Sequence, residues 1–336
     1  MRHPARASGE LLLRRQFLRN GAGAILLAAG SAFAQTRFPV RPVRIIVPFP
    51  PGQAADTAAR MLAQKLTALW GQQVVVDNRG GGLGIPAMVA AKSAPADGYT
   101  LAMGTTQTLC VNPALRRNLP YDLTKDFTPV SGVVSTPLLL IAHPGFPART
   151  VRELVALAQK SATPLQFASP GTGTSQHLTG EWFAVRAGIK LQHIAYKGSA
   201  PAITDVIGGQ VPLMVDSTVS ALPHIKAEAV RAIAVSTKAR IPQLPQVPTV
   251  AESGYPDFDS VGIAGLVAPS GTPAPIVSAI SADVRRALDD PRVHGDFLER
   301  GGLPSASSPQ EFGAFLQAET AKWTGVVKQA QIKLED

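Results

Sequence analysis

Short β-branched runs alternate with stretches of helical periodicity along nearly the whole chain from Val43 to Ala330. Apolar runs bounded by Gly, Pro, Asn or Ser read as buried strands, and apolar positions spaced by three and four read as helices packed on one face. The predicted strands are Val43–Val47, Gln73–Asp77, Thr100–Gly104, Leu138–Ala142, Leu165–Ala168, Leu191–Ala195, Leu213–Asp216, Ala232–Ser236 and Ala264–Ala268. The predicted helices are Ala54–Leu69, Met88–Ser93, Thr150–Gln159, Ser175–Ala187, Ala200–Gly208, Ser220–Ala227, Pro275–Leu288, Pro291–Arg300 and Pro309–Ala330. Several begin on clear signals: Thr150 with Glu153 makes a capping box, and Ser308-Pro309 with Glu311 offers a cap, an N1 proline and an early acid. Strands separated by helices call for right-handed βαβ units and largely parallel sheets, an α/β fold. Segments 127–138 and 256–264 are extended without helical pattern and read as chain crossings between two lobes, the C-terminal helices resuming the first.

Charge enters only after the N-terminus is set apart. Residues 1–34 hold a net +4 of the chain's +9, so the remainder carries +5. Within them Arg14-Arg15-Gln16-Phe17-Leu18-Arg19 matches the twin-arginine export pattern, followed by an apolar stretch from Ala22 to Ala29 and a small-x-small site at Ala32-Phe33-Ala34. A cleaved leader with a periplasmic mature chain starting near Gln35 is expected; an amphipathic N-terminal helix is the alternative. The apolar run is too short for a membrane span. The remaining basic residues are scattered without interleaved aromatics, which argues against nucleic-acid binding and leaves attraction for small anions. Cys110, alone in the chain, reads as a small buried hydrophobe.

Two strand-to-helix junctions carry the candidate chemistry. After Val47, the prolines at 48, 50 and 51 and Gly52 form a stiff loop that opens a helix at Ala54. Free backbone N–H groups at such a helix start, at the carboxyl edge of a parallel strand, favour an anion; an ordinary βα connection is the bland alternative. The second junction runs from Ala168 through Ser169-Pro170-Gly171-Thr172-Gly173-Thr174-Ser175. Its spacing fits neither a P-loop, since Thr174 stands where Lys is required, nor the dinucleotide fingerprint, since Gln176 stands where glycine is required.

With these junctions in place the chain resembles the solute receptors of tripartite tricarboxylate transporters, also called Bug receptors. The resemblance rests on Pro39 through Gly52 with Asp56, Val75 to Arg79, Asp97-Gly98-Tyr99-Thr100, Asn112-Pro113, Leu119 to Asp122, Ala168 through His177, Tyr196 to Pro201, Gly208 to Gln210, Ala221 to Lys226 and Val247 to Glu252. It implies a two-lobed type II periplasmic binding protein of Venus-flytrap form, with lobe 1 from 35–136 and 262–336 and lobe 2 from 137–261. It also implies a small carboxylated solute between the lobes, delivery to membrane transporter subunits, no cofactor or metal, no catalysis and a monomeric state. Carried over residue by residue, the ligand site is Phe49, Pro51, Gly52, Gln53, Ala54 and Asp56; Thr105, Thr106 and Gln107; Ser169, Gly171, Thr172, Gly173, Thr174 and His177; Tyr196, Lys197 and Gly198; and Asp216.

Two departures stand out. Gln53 occupies the place of a second family glycine, and Ile85-Pro86 follows Gly84 where the family has a polar Asn, which alters the next helix start. Asp56 reads as a loop-orienting or ligand-contacting acid, and His177, Lys197 and Asp216 each read either as cleft groups or as ordinary packed or solvated residues. Trp70, Trp182 and Trp323 fall in helical patterns and read as packing residues. Two other functions stay open: a hydrolase or transferase with Ser169 as nucleophile and His177 and Asp216 completing a triad, although no Gly-x-Ser-x-Gly elbow surrounds it, and a receptor that signals to a sensor kinase.

Overall fold

Residues 38–332 are described by a computed structural model of the chain, so the leader at 1–34 lies outside the described residues. From Arg41 onward the chain forms one compact unit. Its elements in order are β1 (Val43–Val47), α1 (Ala54–Trp70), β2 (Val74–Asn78), α2 (Ile85–Lys92), β3 (Thr100–Thr105), β4 (Phe127–Ala142), α3 (Val151–Lys160), β5 (Leu165–Ser169), α4 (Ser175–Ala187), β6 (Leu191–Ala195), α5 (Ser199–Ile207), β7 (Leu213–Ser217), α6 (Thr218–Lys226), β8 (Arg231–Val235), β9 (Val261–Pro269), α7 (Ala274–Leu288), α8 (Pro291–Glu299), β10 (Leu303–Pro304) and α9 (Pro309–Gln329). Between β3 and β4 lie a π turn at Gln107–Val111 and two four-residue helical turns, Asn112–Leu115 and Leu123–Asp126.

The strands run in the order β2-β1-β3-β9-β4-β7-β5-β6, with β8 and β10 also paired to β4. β1 pairs parallel with β2 and β3, and β5 parallel with β6 and β7. The segment at 127–138, read from sequence as a crossing, is the first part of one 16-residue strand, β4. It lies antiparallel to β9 over Phe127–Pro137 and antiparallel to β7 and β8 over Leu138–Ala142. Both sheets are therefore mixed, where the sequence called for largely parallel ones. The parallel character belongs to the βαβ groups, and a chain that crosses and returns has to add antiparallel strands.

Register fixes where the two sheets face one another. Thr105, the end of β3, is level with Ala264 of β9, and Pro137 of β4 pairs with Val261. One residue further along β4, Leu138 pairs with Ser217, the end of β7. The carboxyl edges of the two parallel groups thus meet on either side of the Pro137–Leu138 junction. Side chains of β4 beyond it alternate between two cores: Leu138, Leu140 and Ala142 in one, Leu139 and Ile141 in the other.

Ser236 ties both crossings together. It donates its N–H to the Leu138 carbonyl at 2.9 Å, and its hydroxyl accepts the Leu138 N–H at 3.1 Å and donates to the Ser260 carbonyl. Aromatic packing adds a second tie, since Trp182 of α4 stacks on Phe258 at 4.4 Å and meets Trp323 of α9 edge-on at 6.3 Å. Trp70 instead reaches across to α7, donating to Asp283 at 2.7 Å. Helix α4 sits close on β5 because a Cβ at Gly180 would lie 2.3 Å from the Phe167 ring. Pro86 stands in the first turn of α2, preceded by a turn in which Leu83 and Gly84 both take positive φ (55° and 79°).

Candidate functional site

The first loop is shaped from behind by Asp56. This carboxylate is 2% exposed and holds three hydrogen bonds and one further ion-pair contact. The Gly52 N–H at 2.8 Å and Arg60 Nε at 3.0 Å reach Oδ2, while Asn78 Nδ2 at 2.8 Å and Arg60 Nη2 at 3.0 Å reach Oδ1. Burial alone would raise its pKa, but the hydrogen bonds from Arg60, Gly52 and Asn78 and the Arg60 charge hold it below the ordinary aspartate value. Asn78 Nδ2 also donates to the Phe49 carbonyl at 3.0 Å, so the end of β2 fixes both sides of the loop. Gly52 adopts φ +87°, which aims its N–H back at Asp56. Gln53 then occupies the N-cap of α1 with no side-chain cap bond, and the Ala54 and Ala55 N–H groups find no acceptor among the described residues. Pro51, Gly52 and Gln53 are exposed and Phe49 is half-buried.

The loop after β3 is stapled to β9. Thr106 Oγ1 accepts the Ile263 N–H at 2.8 Å, and Thr105 and Thr108 hydrogen-bond through backbone and hydroxyl groups. Gln107 is buried and donates from Nε2 to Asn112 Oδ1 at 2.8 Å, while its Oε1 is buried without a donor.

In the second sheet, Ser169 is fully buried and turns the loop after β5 inward. Its hydroxyl accepts the Gly171 N–H at 3.2 Å and bonds His193 Nε2 at 2.7 Å. His177 accepts the Gly173 N–H on Nδ1 at 3.1 Å, and its ring stacks on His193 with centroids 3.9 Å apart. Burial, with His193 alongside, drives the His177 pKa down to about 3, and burial takes His193 to about 4; both are neutral at physiological pH. Thr174 caps α4 by accepting the His177 N–H, leaving the Ser175 and Gln176 N–H groups with no acceptor among the described residues. Thr172 is exposed.

The neighbouring strand ends complete this side. The Tyr196 hydroxyl donates to Asp205 at 2.6 Å, and burial together with Asp205 raises its pKa to about 12. Lys197 is exposed, and Gly198 donates its N–H to the Pro170 carbonyl at 2.9 Å, tying this loop to the Ser169 loop. Asp216 is fully buried at the end of β7; Oδ1 accepts from Ser199 Oγ at 2.9 Å and the Ser217 N–H at 2.7 Å, while Oδ2 lacks a hydrogen-bond donor. Burial raises its pKa to about 6 against the opposing hydrogen bonds.

The predicted residues therefore gather in two groups, one at the carboxyl edge of each sheet. The triad weighed from the sequence is not formed: Ser169 pairs with His193, His177 serves Gly173, and Asp216 serves Ser199 and Ser217. Sequence reasoning missed His193 and the work of Asn78. Parallel register sets His193 level with Phe167, beside Ser169, and a register between strands far apart in sequence leaves no local pattern. Cys110 is buried and free, with its thiol pushed up to about 12 by burial. Among the described residues no cluster of His, Cys, Asp or Glu could hold a metal ion, and no helix is long and apolar enough to cross a membrane.

Two mixed α/β sheets joined by a shared strand, each with free helix N–H groups at the carboxyl edge of its parallel strands, define a two-lobed solute-binding receptor. Residues 58–332 match the family described as "Tripartite tricarboxylate transporter family receptor". Protein BugT of Bordetella pertussis is 34% identical over 316 residues, covering 93% of this chain and 97% of BugT. The structure of R. palustris Rpa4515 with adipate is 34% identical with a TM-score of 0.81, covering 88% of this chain and 99% of that one. MatC (Rpa3494) from Rhodopseudomonas palustris with bound malate is 32% identical with a TM-score of 0.77, covering 86% and 100%. The chain belongs to the tripartite tricarboxylate transporter receptor family, as a periplasmic solute receptor and not an enzyme.

Proposed function

We propose that the protein captures a small organic carboxylate between lobe 1 (35–136 and 262–336) and lobe 2 (137–261) and delivers it to membrane subunits of a tripartite tricarboxylate transporter. The observation that carries this is the pair of free N–H sets, Ala54–Ala55 at the start of α1 and Ser175–Gln176 at the start of α4, each at the carboxyl edge of a parallel strand. Backbone donors bind an anion without the desolvation cost of burying Lys or Arg. Phe49, Pro51, Gly52, Gln53 and Ala54 form one wall, and Ser169, Gly171, Thr172, Gly173 and Thr174 the other. Thr105, Thr106 and Gln107 with Tyr196, Lys197 and Gly198 close the sides. Asp56 and His177 hold loops, and Asp216 Oδ2 offers an acceptor for a solute hydroxyl, amine or bridging water. Relatives seen with adipate and malate support aliphatic carboxylates as the first to try.

The test is thermal unfolding of the mature protein against adipate, malate and a wider carboxylate panel. A true solute at 1,000 times its Kd adds about 4 kcal/mol of stability; no shift from any carboxylate at millimolar concentration sinks the proposal. Export through the twin-arginine route is part of the same reading, and an Arg14→Lys, Arg15→Lys leader that still reaches the periplasm normally would remove it.

A further inference from the structure

A groove of about 810 Å³, lined by none of the residues of the two loop groups, opens between the 112–126 connector and α9. Half-buried Leu119 and Leu123, buried Tyr121 and Ala321 of α9 give it an apolar lining, and Arg116 and Arg117 add two cations. The other charges present are already matched. Lys92 pairs with Asp126 at 3.2 Å, and Asp122 caps its helical turn by accepting the Thr124 and Lys125 N–H groups, with Lys125 Nζ at 3.5 Å. Neither arginine has a carboxylate within ion-pair distance among the described residues, and Arg116 Nε is buried with no acceptor. A buried guanidinium donor left without a partner is costly unless something supplies the acceptor.

We propose that this groove is a second ligand site, taking an amphipathic organic acid whose anionic head meets Arg116 and Arg117 and whose apolar body lies on Leu119, Leu123 and Ala321. Its volume falls within the range of pockets that hold drug-sized ligands, which favours an acid with an aryl or medium-chain body over the short diacids proposed for the cleft. The site also has a physical link to the cleft. Tyr121 donates its hydroxyl to the Thr108 carbonyl and accepts from Asn112, whose Oδ1 holds Gln107 Nε2 at 2.8 Å. A ligand in the groove therefore lies beside a residue whose hydroxyl is hydrogen-bonded toward the Thr105–Gln107 loop. The assignment does not depend on what the cleft takes up.

The experiment uses 8-anilinonaphthalene-1-sulfonate as the probe with the folded mature protein, and decanoate as competitor. Saturable fluorescence enhancement is expected, weakened at least tenfold in Arg116→Glu/Arg117→Glu and displaced by decanoate. Ala321→Trp, an exposed helical position that fills the groove without changing charge, is expected to weaken it as strongly and decides the matter if the charge variant does not fold. The proposal is overturned if the native protein does not bind the dye, or if Ala321→Trp binds it unchanged. Equal binding and equal response to the arginine changes by the uncharged N-phenyl-1-naphthylamine would also overturn it. Displacement by an acidic leucine-rich peptide but not by decanoate would assign the groove to a protein partner instead.

Discussion

Asp56 shows how one buried charge can set the shape of a loop from behind. Its three hydrogen bonds and the Arg60 ion pair satisfy both oxygens, so the carboxylate acts as a rigid post for the Pro48–Gln53 loop. Asp56→Asn puts an N–H₂ group where a donor already points, and we expect a loss of about 1–3 kcal/mol in urea unfolding together with weaker carboxylate binding. Because the folded pKa lies below the unfolded one, this contribution is present at neutral pH and disappears only as pH falls through the folded value. The stacked histidines act at milder pH. Their folded pKa values of about 3 and about 4 lie below the unfolded value of 6.5, so the unfolded chain binds more protons across that window. Stability should therefore fall as pH drops from about 7 to 5, by roughly 1–2 kcal/mol for buried His177 and less for the more exposed His193. His177→Gln, which keeps an acceptor for Gly173, should flatten the slope; an unchanged slope in denaturant titrations at several pH values would contradict the assignment.

At the scale of elements, most of the α/β pattern could be read from sequence because each helix and strand carries its own period. β1, β6 and α4 fall at the predicted residues, and the cap at Ser308 forms as a full capping box with Glu311, whereas the box read at Thr150 forms only in half, because Glu153 reaches the Arg149 N–H instead. What escaped were elements whose reason is not local. Residues 127–137 contain Thr, Pro, Ser and Gly with no alternation, and they form a strand because β9 and β10 supply partners. The π turn at Gln107–Val111 is likewise set by Asn112 and by α9 packed against it. The site was legible as loops, since prolines and glycines mark them, and illegible as a hydrogen-bond scheme, since Asn78 and His193 reach it from other strands. Ser236 is the clearest case of a non-local element, bonding both crossings at once. Ser236→Ala removes a buried hydroxyl partner from Leu138 and Ser260, with an expected cost of about 1–3 kcal/mol. If lobe closure turns about this junction, bound solute should also leave faster, measurable by stopped-flow release.

At the scale of the whole molecule, the two sheets share a strand, a serine staple and an aromatic contact from α4 to α9, and these ties gather where β4 passes from one sheet to the other. Such a receptor needs its empty and loaded forms to differ in free energy at the junction. The start of α1 supplies one difference. With Gln53 in the N-cap place, the helix lacks the oxygen that Ser, Thr or Asp would provide. On the function proposed above, an arriving carboxylate supplies that missing acceptor and steadies the first turn. Amide exchange at residues 54–56 should slow on loading well beyond the rest of α1. Gln53→Asp should stabilise the empty protein by about 0.5–2 kcal/mol while weakening uptake of anions, a trade in which the receptor becomes sturdier by finishing itself.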